Sequence, residues 1–168
     1  MTLDALNRSD RAAFLAAVGF AFEDSPWIAE AAWERRPFGS VAALHASMLN
    51  VLREAPLERR IALIAAHPDL AGRVAREGRL TPSSHEEQSA AGLDRLTPEE
   101  MSRFDALNAA YRRHFGFPFV ICARQHDKTS ILAALERRLA HERTVEVETA
   151  LAEIAEIARL RLQGALTA

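Results

Sequence analysis

Residues 65–70 read AAHPDL, and His67 is a side chain whose type and place could support catalysis. It lies at the rim of the apolar face of a predicted helix, and Pro68 disfavours helical geometry in the residue before it, so the helix should end here. An imidazole titrates near neutral pH and can act as a general acid or base. The place also suits a histidine that simply ends a helix, and such helix ends are commoner than active sites.

A second group of polar side chains lies in the stretch SSHEEQSAAGL, residues 83–93. Ser84, Glu87 and Gln88 are spaced so that they share one face of a helix, where a hydroxyl, a carboxylate and an amide together could hold a small polar ligand. The spacing of Ser84 and Glu87 also matches a capping box at a helix start, which is an ordinary feature. The spacing leaves both interpretations open.

The third candidate is Arg161, which falls on the apolar side of the last predicted helix, between Ile154 and Ile157. An arginine in such a place must extend its charged end to the surface, pair with an acid or line a pocket. In a pocket, its planar fork would suit a carboxylate or an imide. Extension to the surface is equally consistent with the pattern.

Composition argues against several classes of function. The chain has 168 residues and a net charge of −2, with basic residues scattered between acids, which argues against nucleic-acid binding. No apolar run approaches the roughly 18 residues of a membrane span, and no secretory signal is present. The single cysteine, Cys122, fits a reducing cytoplasm. No histidine has an acid or a second histidine three or four residues away, so no metal site is predicted.

Helix signals dominate the elements that must position these residues. Capping residues precede apolar periodic stretches at five places, which are Ser9, Ser25, Ser40, Thr81 and Thr97. Glu100 completes a capping box, and Gly116 should end the helix that follows it. The stretch FPFVIC, residues 117–122, is short, apolar and β-branched, which predicts a buried extended segment. We therefore predict an all-α protein, a single compact domain over 1–168 with about eight helices and this one extended segment.

Three stretches, taken in order, closely resemble one enzyme family. They are AAHPDLAGR (65–73), SSHEEQSAAGL (83–93) and YRRHFGFPFVICAR (111–124), and the opening LNRSDRAAFLAAVGFAFEDSPWIAEAAW is similar too. The family is that of 2-oxo-4-hydroxy-4-carboxy-5-ureidoimidazoline (OHCU) decarboxylase, which acts in urate degradation. The resemblance covers essentially the whole chain. It implies a helical lyase that needs no cofactor and converts OHCU to (S)-allantoin.

The resemblance also implies a role for each residue that matches the family's motifs. His67 is the expected catalytic histidine, and Glu87 is its expected acidic partner. Substrate binding is expected from Pro68, Ser84, Gln88, Arg161 and the main chain of Phe119, Val120 and Ile121. No metal is expected.

The same resemblance implies a homodimer that acts after urate oxidase and 5-hydroxyisourate hydrolase, with which it could associate, and the single cysteine fits a cytoplasmic location. No nucleic acid or membrane is expected as a partner. Two other functions fit the sequence. One is decarboxylation of a related ureido or imidazoline acid on the same scaffold. The other is a helical interaction module without catalysis, although such a module would be expected to have lost His67 or Glu87.

Overall fold

Ten α-helices account for most of the residues that the structure describes. The computed structural model describes residues 1–167, except for the side chain of Val74. The helices in that range are α1 (Leu3–Arg8), α2 (Arg11–Val18), α3 (Trp27–Trp33), α4 (Val41–Glu54), α5 (Leu57–Ala66), α6 (Arg73–Arg76), α7 (Pro82–Ala90), α8 (Pro98–Phe115), α9 (Lys128–Arg138) and α10 (Arg143–Ala165). Two short 3-10 turns cover Gly19–Ala21 and Ala123–Gln125. The all-α prediction is confirmed, because the described residues form only one isolated β-bridge, between Thr2 and Thr167.

Side-chain caps start most of these helices. At the start of α8, Thr97 Oγ1 accepts from the Glu100 amide at 3.2 Å, and Glu100 Oε2 accepts from the Thr97 amide at 2.9 Å. This is the predicted capping box, and it satisfies amides that have no partner inside the helix. Ser40 and Thr81 cap α4 and α7, also as predicted. None of the described helices is long and apolar enough to cross a membrane.

Two of the predicted caps are wrong. Ser9 is the residue after α1, a short helix that the sequence did not reveal, and Asp10 caps α2 by accepting from the Ala13 amide at 2.8 Å. At the start of α3 the N-cap is Pro26, and no side chain caps the helix. In each case the helix begins one residue later than predicted, a difference that local spacing alone does not resolve.

The first of two units comprises residues 1–66 and 154–168. Helix α3 contacts α2 and α4 within it. Its core includes Phe14, Ile28, Leu44 and Met48, each with no exposed side-chain surface. His45 on α4 lies beside this core, and its Nε2 donates to the carbonyl of Ala155 at 2.9 Å.

The second unit comprises residues 67–153 and contains the predicted extended segment. Helix α8 ends at Gly116, whose φ of +82° is the left-handed conformation that glycine adopts without steric cost. The chain then runs through 117–122 without helix or strand, and every residue of this segment is buried. Tyr111 contacts Phe119 with the two ring centroids 5.4 Å apart, so the segment is packed directly against α8. This part of the prediction is confirmed.

The environment of His45 makes stability depend on pH. Burial lowers its pKa below 6.5, outweighing the hydrogen bond to Ala155, which raises it. Just below pH 6.5, His45 therefore binds a proton in the unfolded chain but not in the folded chain. The free energy of unfolding is full above the unfolded pKa of 6.5 and decreases as the pH falls through that value. His45→Gln keeps a donor for Ala155 but does not titrate. When the pH is lowered from about 7.5 to about 5.5, the Tm of His45→Gln should therefore fall less than the Tm of the wild type.

Thermal denaturation followed by circular dichroism measures this difference. His114→Gln is the matched control, because His114 is exposed. An identical loss of Tm in the wild type and His45→Gln would exclude His45 as the cause.

Candidate functional site

The turn after α5 carries His67 and Pro68. Helix α5 ends at Ala66, so the predicted helix end at His67 is confirmed. His67 is only 6% exposed, and Pro68 beside it is half-buried. The turn closes when the Gly72 amide donates to the carbonyl of Asp69 at 3.3 Å. A Cβ on Gly72 would lie 2.7 Å from the Cβ of Asp69, so the turn has room for glycine alone.

Side chains from α7 and α8 hold this turn in place. Gln88 Oε1 accepts from the amide of Ala71 at 2.9 Å, and Asn108 Nδ2 donates to the carbonyl of Leu70 at 2.9 Å. Buried main-chain groups in an irregular segment need such partners, because an unsatisfied polar group is costly away from water. The loop that begins at His67 is therefore hydrogen-bonded to α7, the helix that carries Gln88.

Helix α7 brings Ser84, Glu87 and Gln88 into a buried environment. Their exposed fractions are 5%, 9% and 5%, which is unusual for three polar residues on one helix. The capping-box interpretation of Ser84 and Glu87 is wrong, because Thr81 is the N-cap and accepts from the Ser84 amide at 3.3 Å. A buried polar helix face without a capping role is the kind of surface that binds a polar ligand.

Gln88 has a second polar atom available. Its Oε1 is used by Ala71, but its buried Nε2 has no hydrogen-bond partner among the residues that the structure describes. Gln88 also lines a cavity of about 280 Å³, together with Ala71, His85 and Ser89. An amide donor left over after the structural hydrogen bond is made can serve a ligand.

The extended segment offers main-chain donors near the same helix. Helix α7 contacts the turn Ala123–Gln125, which directly follows residues 119–122. Phe119, Val120 and Ile121 are 1–4% exposed. Their amides donate no hydrogen bond to any part of the chain that the structure describes. Such amides are rare in folded proteins, and they are free to donate to a further acceptor.

Arg161 belongs to the first unit, where it is buried rather than extended to the surface. Its side chain is 3% exposed, and Nη1 donates to Glu23 Oε2 at 2.8 Å and to the carbonyl of Phe20 at 3.1 Å. The surface interpretation of Arg161 is therefore wrong. Sequence reasoning missed Glu23, and no pattern could have found it, because 138 positions separate the two residues.

The described residues form an all-α protein whose second unit buries His67 and, on α7, Ser84, Glu87 and Gln88. A family model described as OHCU decarboxylase matches residues 7–163. A protein of Halalkalicoccus jeotgali named 2-oxo-4-hydroxy-4-carboxy-5-ureidoimidazoline decarboxylase is 40% identical over 163 residues, which are 97% of this chain and 90% of that protein. The chain belongs to the OHCU decarboxylase family.

Two further similarities extend this result. A crystal structure of (S)-allantoin synthase superposes with a TM-score of 0.79 at 28% identity, covering 99% of this chain and 54% of that one. The uric acid degradation bifunctional protein PucL of Bacillus subtilis is 38% identical, and the match covers 99% of this chain but 33% of PucL. No cluster of three or more metal-ligating side chains occurs among the described residues.

The turn at Gly72 gives a direct prediction. Gly72→Ala should lower the free energy of unfolding by about 2 kcal/mol, because the added Cβ meets backbone as well as side-chain atoms of Asp69. Urea denaturation measures the change. Gly39→Ala is the matched control, since a Cβ at Gly39 would meet nothing within 4 Å. Equal stability of the two variants would show that the turn relaxes around the methyl group.

Proposed function

We propose that this chain catalyses the decarboxylation of OHCU to (S)-allantoin, a step of urate degradation, as a carboxy-lyase that needs no cofactor. The single observation that carries the proposal is the burial of His67, Ser84, Glu87 and Gln88 within one unit of a chain that belongs to this family. None of these four polar side chains is more than 9% exposed, although serine, glutamate and glutamine are mostly exposed in folded proteins.

The chemistry requires little beyond orientation and a proton. Breaking the bond to the carboxylate releases CO₂ and leaves an electron pair on the ring carbon. The adjacent imine and carbonyl groups of the substrate delocalise that pair, so the electron sink is supplied by the substrate. One proton is then added to the ring, and delivery to one face fixes the configuration of the product. The protein must hold the carboxylate out of the ring plane and stabilise the developing charge.

His67 is the residue that we assign to proton transfer. It is buried at the start of a turn that side chains of α7 and α8 hold in place, and histidine is the side chain most often used for general acid–base catalysis. Glu87, 9% exposed on α7, orients the imidazole or shares its proton. Pro68 shapes the pocket beside His67.

Substrate binding falls to the remaining candidates. The unpartnered Gln88 Nε2 and the amides of Phe119, Val120 and Ile121 donate to the polar edge of the ring. Ser84 adds a hydroxyl from the same buried face of α7. The mixture of donors suits a ureide, which is rich in carbonyl oxygens. Arg161 supplies a positive charge for the carboxylate or an imide.

The proposal extends to the setting of the enzyme. The whole chain, 1–168, acts as a single domain, and the family match across residues 7–163 supports this. It works in the cytoplasm as a homodimer, and exposed Phe20 and Leu57 offer apolar surface for association. A functional link to urate oxidase and 5-hydroxyisourate hydrolase is supported by the bifunctional relative named for uric acid degradation.

The activity is tested with OHCU generated in the cuvette from urate by urate oxidase and 5-hydroxyisourate hydrolase. Circular dichroism then follows the optically active product. We expect rapid formation of the S enantiomer when the chain is added. A rate equal to the spontaneous decay, with racemic product, would contradict the proposal. Allantoin binding without turnover would instead favour a non-catalytic module.

Replacement of the histidine tests the assignment of proton transfer. His67→Asn should lower kcat by at least about 100-fold, the usual contribution of a positioned acid or base, while the fold is retained. The same dichroism assay measures it, and far-ultraviolet dichroism checks the fold. His114→Asn is the matched control, because His114 is exposed on α8. Formation of the S product at a near-normal rate by His67→Asn would contradict the assignment.

Arg161 requires a separate test. Arg161→Lys keeps the charge but loses the planar fork, so KM for OHCU should rise about tenfold. Arg159→Lys is the matched control, since Arg159 lies on the same helix but pairs with Glu156 and is 36% exposed. An unchanged KM in Arg161→Lys would show that Arg161 serves the structure through Glu23 and not the substrate.

A further inference from the structure

A buried cluster of charged and polar side chains lies behind the extended segment and has no part in the chemistry described above. Glu146 on α10 has no exposed surface, and Arg138 at the end of α9 is 3% exposed. Arg138 Nε donates to Glu146 Oε1 at 2.6 Å, and the Tyr111 hydroxyl donates to the same oxygen. His141 Nδ1 lies 2.8 Å from Glu146 Oε2. Both oxygens of this carboxylate are therefore engaged.

The cluster reaches the segment through one hydrogen bond. Arg138 Nη1 donates to the carbonyl of Val120 at 2.8 Å. The guanidinium carbon also lies 4.4 Å from the centre of the Phe119 ring. Because a guanidinium is planar and rigid, fixing Nε on Glu146 also fixes the direction of Nη1. Glu146 thus holds Arg138, and Arg138 holds the main chain of Val120.

This contact determines where the next amide points. The peptide bond between Val120 and Ile121 is trans, since the single cis bond among the described residues is Arg36–Pro37. In a planar trans peptide the carbonyl and the N–H point in opposite directions. With the Val120 carbonyl held by Arg138, the N–H of Ile121 is directed away from the cluster. The next amide, that of Cys122, donates to Glu153 Oε2 at 2.8 Å, which fixes the following peptide as well.

We infer that the Arg138–Glu146 ion pair is a positioning device for substrate binding: it holds the Val120 carbonyl so that the Ile121 N–H is presented to the substrate. The inference rests on the proposed function, in which the main chain of 119–121 binds the ring. Burial and the contact with Glu146 raise the pKa of Tyr111, so its hydroxyl remains a donor over the working range of pH. The Tyr111 hydroxyl donates to Glu146, whereas the hydrogen bond to the Val120 carbonyl comes from Arg138.

The test separates positioning from stability. Arg138→Met removes the contact with Val120 and should raise KM for OHCU about tenfold, the value of one hydrogen bond, with kcat changed less than about threefold. It should also lower Tm by about 10 °C, because Glu146 loses its buried partner. Tyr111→Phe loses a hydrogen bond of the cluster but leaves Val120 held, so its KM should stay at the wild-type value.

A triple variant decides between the two explanations. Arg138→Met, Glu146→Leu and Tyr111→Phe together replace the cluster by apolar groups, which commonly restores stability. We expect its Tm to recover while KM stays about tenfold raised. Recovery of KM together with Tm would overturn the inference, as would an unchanged KM in folded Arg138→Met. Glu136→Gln, an exposed acid on α9, is the control for changed charge.

A measurement on the substrate-free protein tests the role of Arg138 independently of the proposed enzymatic activity. The ¹³C chemical shift of the Val120 carbonyl, measured in the substrate-free protein, should move in Arg138→Met and in the triple variant but not in Tyr111→Phe. An unmoved shift in Arg138→Met would overturn the inference even if the wild type is fully active. Absence of turnover by the wild type would defeat the proposed function, whereas the carbonyl shift would still report whether Arg138 holds this peptide.

Discussion

Buried main chain that is neither helix nor strand must find its hydrogen-bond partners among side chains, and this constraint governs the second unit. Among the described residues of this unit, 67–72 and 117–122 are irregular segments with mostly buried residues. Gln88 and Asn108 satisfy the first, and Arg138 satisfies a carbonyl of the second. Each of these partners comes from a helix, so side-chain hydrogen bonds tie both irregular segments to helices. This permits a binding site built partly from main chain in an all-α protein.

The same constraint explains why polar residues are found where apolar ones would be expected. Helix α7 buries a serine, a glutamate and a glutamine on one face, and α8 buries Asn108. In a helix that served only the core, these positions would be apolar. Gln88 uses one end of its amide for the structure and keeps the other end unpaired. A side chain with two polar atoms can thus hold a loop and present a donor at once.

The sequence predicted those features that depend on neighbours along the chain. The capping box at Thr97, the stop at Gly116 and the buried segment 117–122 each follow from a few adjacent residues, and each is confirmed. The cap predicted at Ser9 failed because the adjacent Asp10 accepts the amide hydrogen bond, and the cap predicted at Ser25 failed because no side chain caps that helix. Partners distant in sequence, such as Glu23 for Arg161, leave no periodic signal. The resemblance identified the candidate site residues, but it did not reveal the side chains that hold them.

The Arg138–Glu146 pair would be hard to understand as a device for stability alone. Removing two charges from water costs more than their attraction usually returns, and an apolar pair would fold as well. An apolar pair, however, would leave the Val120 carbonyl without a donor. Pairing the segment as a strand would satisfy that carbonyl but would also consume the amides of Phe119, Val120 and Ile121. A buried arginine satisfies the carbonyl and leaves those amides available, and a buried glutamate is then needed to neutralise it.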